Sequence, residues 1–234
     1  MRGYREGAIN SIAIRWLLFI FLNTFYMTCM AQTVQPQAVT LAGSFQEELG
    51  CEGDWMPECD LTGMELESDD QVWQQTLAIP AGQWEYKVPI NRSWSENYGL
   101  GAVLNGANIP LEVASDTEVK FYYSHETHWI TDNQSSLIAT VPGNFQAALG
   151  CANDWDPACL RSWLQDPDGD GLYRFVTSLL PAGSYEAKVA LNENWAINYG
   201  AGGVQEGENI AFVVPQDCVE MEFLWYSLTN ELFI

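Results

Sequence analysis

Apolar and polar residues alternate along this chain with the period of a strand. In Trp84-Glu85-Tyr86-Lys87-Val88-Pro89-Ile90 the even-numbered positions are apolar, while Glu85 and Lys87 face the other way. A period of two is the signature of a half-buried β-strand. The same pattern returns with Tyr185, Ala187, Val189 and Leu191 on one face and Glu186 and Lys188 on the other. Further strands are predicted at 39–45, 71–79, 109–113 and 118–124, with counterparts at 138–145, 172–180, 210–214 and 219–227. Turn chemistry separates them at Ser68-Asp69-Asp70, Pro80-Ala81-Gly82, Asn105-Gly106 and Asp168-Gly169-Asp170-Gly171. No segment makes a convincing long amphipathic helix.

The counterparts arise because the chain repeats itself. Gly43-Ser44-Phe45-Gln46 leads through Cys51, Asp54-Trp55 and Pro57 to Cys59, and Gly143-Asn144-Phe145-Gln146 leads through Cys151, Asp154-Trp155 and Pro157 to Cys159. Pro80-Ala81-Gly82 through Asn91, Trp94 and Asn97-Tyr98-Gly99 returns as Pro181-Ala182-Gly183 through Asn192, Trp195 and Asn198-Tyr199-Gly200. A period near 100 residues is too long for a solenoid unit and is the size of a whole small domain. The predicted fold is all-β: two tandem immunoglobulin-like β-sandwich modules, at 38–135 and 136–234. The join around Asn133-Gln134-Ser135-Ser136 is short and polar, which restricts how the modules are set against each other.

Residues 1–31 belong to neither copy. Three arginines, a short apolar run from Trp16 to Leu22 and small residues ahead of Gln32 read as a secretory signal peptide cleaved after Ala31. The rivals are an uncleaved anchor, for which the run is short and interrupted by Asn23-Thr24, and lipid attachment at Cys29, where Tyr26-Met27-Thr28 makes a poor recognition sequence. Either way the product is extracellular, periplasmic or at the cell surface.

Charge narrows the partners. The chain carries a formal net charge of -22. Beyond residue 31 its only basic residues are Lys87, Arg92, Lys120, Arg161, Arg174 and Lys188. Such a surface repels phosphate backbones and anionic lipid, which argues against nucleic acid and membrane partners. It suits a neutral ligand.

The cysteines fall symmetrically. Cys51/Cys59 and Cys151/Cys159 do not match structural zinc spacing, and secretion permits disulfides, so each pair is read as an intra-loop bond that fixes the loop bearing Asp54-Trp55 or Asp154-Trp155. Cys218 aligns with Thr117 inside a strand-like run and is expected as a buried free thiol.

Catalytic constellations are absent: there is no nucleophile elbow, metalloprotease helix motif or phosphate loop. No cofactor and no metal are expected. His125 and His128 occur in one copy only and read as strand-end residues. Asp166-Pro167-Asp168-Gly169-Asp170-Gly171 resembles the front of a calcium loop but lacks the acidic twelfth position, so a hairpin turn is the preferred reading. The tryptophans are more telling. Trp73 reads as core, whereas Trp94 and Trp195 follow a strand in polar settings, and Trp55 and Trp155 sit in the disulfide loops. Flat rings flanked by amides and charges are what a sugar-binding surface requires. The plain alternative is that these rings cap the ends of the sandwiches.

The spaced motifs around Cys51–Cys59 and Pro80–Gly99, with their second copies, resemble the accessory starch-binding-like modules found in tandem beside the catalytic domains of bacterial pullulanases and amylopullulanases. More distantly, Pro-Ala-Gly-x-aromatic-Glu-x-Lys-Val…Asn-x-x-Trp is similar to the glycogen-binding module of the AMP-activated kinase β subunit type. That wider resemblance implies glucan contacts at Trp55, Lys87, Trp94 and Asn108, and at Trp155, Lys188, Trp195 and Asn209. The resemblance to the pullulanase modules covers essentially all of 38–234 and includes no part of the catalytic barrel. The implied function is a secreted, non-catalytic binder of α-glucan such as starch, glycogen or pullulan, working beside a separately encoded amylase or pullulanase. The alternative is a structural spacer or docking pair that binds no sugar.

Overall fold

The alternating segments form strands that pair antiparallel and pack in two layers, apolar faces inward. A computed structural model describes residues 33–234, so the expectation of a signal peptide over 1–31 lies outside the described residues. In the first module the strands are β1 (Val39–Thr40), β2 (Ala42–Gly43), β3 (Gly63–Glu67), β4 (Val72–Ile79), β5 (Gly82–Ile90), β6 (Ser93–Tyr98), β7 (Ile109–Val113), β8 (Thr117–Tyr123) and β9 (Ile130–Asp132). One layer runs β3-β4-β8-β9; the other is built on β5, which pairs with β2, β6 and β7, and β1 bridges β3 and β5. Between the layers Phe121 meets Tyr86 edge-on at 5.1 Å and Phe45 at 5.9 Å.

The second module repeats this with β10 (Ala139–Thr140), a single turn of helix α1 (Gln146–Leu149), β11 (Trp163–Leu164), β12 (Leu172–Thr177), β13 (Gly183–Ala187), β14 (Val189–Leu191), β15 (Asn198–Tyr199), β16 (Ile210–Val214), β17 (Met221–Tyr226) and β18 (Glu231–Phe233). Phe145, Phe212 and Phe223 fill the matching core. The counterpart of β5 is split at Lys188, whose backbone N–H leaves the ladder and donates to Pro142 O at 2.9 Å.

Three expectations change. The run 39–45 is not one strand: it breaks at Leu41 and ends at Gly43, leaving Phe45 fully buried in a turn. Trp94 lies on a strand, β6. Cys218 is neither buried, nor in a strand, nor a free thiol. It sits exposed in a turn with φ 64° and is disulfide-bonded. The cause is a second one-residue insertion, since β17 aligns with β8 at Phe223 and Phe121 (both pack on the Phe145 or Phe45 ring), which moves Cys218 out of the ladder.

The modules are joined tightly. The fully buried Asp132 carboxylate accepts from the backbone N–H groups of Gln134 and Ser135, from the Ser135 hydroxyl and from the Tyr86 hydroxyl, so the linker is pinned to the first core. Val72, Tyr122 and Trp129 of the first module then form a separate buried cluster with Ile138, Leu160 and Trp163 of the second. Around it Glu193 takes bonds of 2.6 Å from both Lys120 Nζ and the Tyr122 hydroxyl. Asp70 accepts from Leu160 N at 2.8 Å, and Arg161 Nε donates to Asp69 O at 2.6 Å.

Candidate functional site

The first loop of each module is organised by a buried glutamine. Gln46 Oε1 accepts from Gly43 N and Met56 N, and its Nε2 donates to Met56 O and the Thr62 hydroxyl. Gln146 makes the same four bonds to Gly143, Asp156 and Ser162. Asp54 and Asp154 cap the turn by accepting from Glu47 N and Ala147 N. The expected bonds Cys51–Cys59 and Cys151–Cys159 close each loop, with Cα atoms 6.0 Å apart. Within this frame Trp55 and Trp155 adopt the left-handed conformation, φ 59° in both, and donate their backbone N–H to Gly43 O and Gly143 O. Gly43 has no room for a side chain: a Cβ there would lie 2.6 Å from Glu85 O. The two motif residues Gly43 and Gln46 thus hold the tryptophan loop against β5.

Strand β5 supplies the polar groups. Gly43 pairs with Tyr86 and Ala42 with Lys87, so the backbone anchor of Trp55 is one register from Lys87. Lys87 is half-buried, makes no hydrogen bond or ion pair among the described residues, and is held below the usual lysine pKa by burial. Two positions back on the same face, Glu85 accepts from Asn108 Nδ2 at 3.0 Å. In the second module Glu186 accepts from Asn209 Nδ2 at 2.9 Å, and Lys188 is likewise half-buried.

A hairpin places Trp94. Asn91 and Arg92 both have positive φ, and Ile90 pairs with Ser93 across them. Two-residue turns of this hand match the twist of the flanking strands. Asn97 Nδ2 then donates to Trp94 O at 3.1 Å, as Asn198 does to Trp195 O at 3.0 Å. Trp94 and Trp195 are 37% and 38% exposed, large rings left open to solvent.

The two modules differ at one point. The Trp55 and Trp94 rings stand 6.5 Å apart at 42°, forming a bent aromatic surface. No such ring contact joins Trp155 to Trp195 among the described residues. Of the residues implied by resemblance, the first module brings Trp55 and Trp94 together, while Asn108 bonds Glu85, two positions from Lys87 on the same face of β5. In the second, the same elements are present with the aromatic pair parted. Gln46, Glu85 and Asn97, with their repeats, are structural partners of the site that the sequence reading did not assign; their recurrence inside the motifs was the available signal.

The remaining candidates have local roles. His125 bonds the Tyr123 hydroxyl at 2.9 Å, and His128 stacks on Tyr98 with centroids 4.0 Å apart. Asp166 accepts from the N–H groups of Gly169, Asp170 and Gly171 in the turn between β11 and β12. The ligand atoms of Asp166, Asp168 and Asp170 lie within 4.8 Å of one another, and Asp166 is raised in pKa first by burial. This is the one carboxylate cluster among the described residues with the density to hold a cation.

Comparison with known proteins agrees with the repeat. The family model of the pullulanase X25 domain matches twice, at residues 38–130 and 138–232. An amylopullulanase of Thermoanaerobacter thermohydrosulfuricus is 32% identical over 205 residues, covering 85% of this chain and 13% of that protein. One of Thermoanaerobacterium saccharolyticum is 30% identical over 200 residues, covering 82% of this chain and 15% of that protein. The chain therefore spans less than a sixth of the length of these curated relatives. Among solved structures, a pullulanase from Bacillus acidopullulyticus aligns with a TM-score of 0.38 at 17% identity, covering 82% of this chain and 26% of that one. SusF from Bacteroides thetaiotaomicron aligns with a TM-score of 0.32 at 13% identity, covering 87% and 49%. With both halves matched and the β-sandwich repeated, the chain belongs to the pullulanase X25 domain family, as two accessory modules in tandem.

Proposed function

We propose that this chain is a secreted, non-catalytic protein that binds α-glucan through Trp55, Lys87, Trp94 and Asn108 of the first module and through Trp155, Lys188, Trp195 and Asn209 of the second. The supporting observation is the Trp55–Trp94 ring pair, with Trp94 open to solvent and Trp55 half-buried, together with a half-buried Lys87 that makes no hydrogen bond or ion pair among the described residues. The apolar face of a pyranose packs on a flat ring. An ammonium and the Asn108–Glu85 pair offer donors and acceptors to its hydroxyls, and none of these groups needs a charged ligand. Names of the relatives, all amylopullulanases, point to starch and pullulan as the polymers to test.

Isothermal titration with a maltooligosaccharide and retention on insoluble starch, with cellulose as control, test the reading. Losing an aromatic anchor at a binding hot spot costs roughly 2 kcal/mol or more. Trp94→Ala and Trp195→Ala should each remove about one site on the short ligand. On starch the double variant should lose far more, because linking two sites raises avidity by about 10² to 10⁴ where both engage one chain. Retention of the folded double variant at wild-type level would refute these sites. A wild-type chain that passes through starch unretained would favour the spacer or docking reading.

A further inference from the structure

The repeat shows what covers one particular face of the sandwich. In the first module the outer face of β8–β9 is buried by the second module, through Tyr122, Trp129 and the Lys120–Glu193 pair. The same face of the second module, on β17–β18, is open. Leu224 takes the place of Tyr122, as their pairing with Phe233 and Thr131 shows. With Tyr226 and Phe233, which are 42% and 53% exposed, it lines an open groove of about 290 Å³. Exposed apolar surface rimmed by charge marks an interaction site.

Charge identifies the occupant. The residue equivalent to Lys120 on β17 is Glu222, since Lys120 pairs with Thr76 and Glu222 with Val176, each one position before the core phenylalanine of its strand. The residue equivalent to Glu193 in the first module is Arg92, because Asn91-Arg92 and Asn192-Glu193 form the same positive-φ turn. Both partners of the interface pair are thus reversed in sign on the two surfaces that no other described residue covers. Arg92 pairs with Asp60, and the next residue, Leu61, is 55% exposed where the second module carries Arg161. We infer that the chain self-associates head to tail, the Arg92–Leu61 edge of one copy seated on the β17–β18 groove of the next, with Arg92 facing Glu222. This inference is independent of sugar binding.

In the isolated chain Arg92 pairs with Asp60 and Glu222 with Arg174, all four side chains being well exposed. Exposed pairs of this kind are worth about 0–1 kcal/mol, so exchanging them for the contact between copies is cheap. The two contacting surfaces are different, so the interface is heterologous and does not close on itself, and an open series of oligomers is expected.

Sedimentation velocity of the whole chain with its disulfides intact, over a wide concentration range and at about 0.15 M salt where the Debye length of about 8 Å screens the net charge, is the test. The expected result is an average mass that grows with concentration past the dimer. Arg92→Glu and Glu222→Lys, both at exposed positions, should each raise the half-assembly concentration by about tenfold or more. An equimolar mixture of the two variants should associate again, because each retains the surface that the other has lost. A monomer at every concentration overturns the proposal. So does assembly that stops at the dimer, which would mean the groove pairs with itself, and so does assembly that neither charge reversal weakens.

Discussion

Replacing Trp163 tests whether the two modules are held by their shared apolar cluster. Its indole is 2% exposed and lies with centroids 4.6 Å from Trp129 and 5.9 Å from Tyr122, both in the other module. Truncating a packed tryptophan to alanine costs about 3–5 kcal/mol. The indole N–H has no acceptor among the described residues, and removing a buried unpaired donor returns about 1–3 kcal/mol. Trp163→Ala should therefore destabilise by roughly 2 kcal/mol, which at about 2–4 °C per kcal/mol for a chain of this size is a Tm drop of roughly 4–8 °C. Trp163→Phe keeps a ring against Trp129 and drops the unpaired N–H, so its change should stay within about 1 kcal/mol. Calorimetry of both variants and the wild type gives the comparison, with proteolysis of the linker around Gln134-Ser135 as a second readout that should accelerate in the alanine variant only. A Trp163→Ala protein that melts with the wild type, or a phenylalanine variant that falls as far as alanine, would show that the ring contact does not hold the modules together.

Gln46→Leu removes four bonds from a side chain with no exposure and leaves Met56 N–H and the Thr62 hydroxyl without that partner; a loss on the order of 3 kcal/mol is expected, and a Tm shift below about 2 °C would contradict the role given to this residue. Acid should loosen the first module near its histidines. Burial holds His125 and His128 below the ordinary value of 6.5, with His128 lowering His125 further and Glu96 opposing in both. The neutral rings are the folded form, so their contribution is complete above pH 6.5 and is lost as pH falls through the depressed folded values. The double variant His125→Gln/His128→Gln should show a flatter fall of Tm between pH 7 and about pH 5 than the wild type, and an unchanged slope would discount the two rings.

How much of this was legible in the sequence depends on the range of the interaction. Period-two alternation located β5, and β7 matched its predicted span at both ends, because strand burial writes itself into neighbouring residues. The bonds Cys51–Cys59 and Cys151–Cys159 were legible because each closes a local loop repeated in both copies, whereas the bond at Cys218, which has no repeat, was not. Strand β6 was not. Its hairpin turns on Asn91-Arg92, which lacks the glycine that usually announces such a turn, so Trp94 read as a loop residue. The interface was invisible for a different reason. Tyr122, Trp129, Ile138, Leu160 and Trp163 look like ordinary core positions, and nothing local tells which module each one serves. Lys87 was picked out by resemblance, but its lack of a partner is a property of three-dimensional neighbours in a chain full of carboxylates.

Near-duplicate modules on one chain face a hazard during synthesis, since a strand of one copy can be taken up by the other. Here the interface works as an address. Were β18 to replace β9, Glu231 would fall where Trp129 meets Trp163, putting a carboxylate into a dry aromatic cluster. Were β17 to replace β8, Glu222 would face Glu193 in place of Lys120. Residues that differ between otherwise matching strands thus give each segment its place, and the exchanged topology is penalised where correct assembly is sealed.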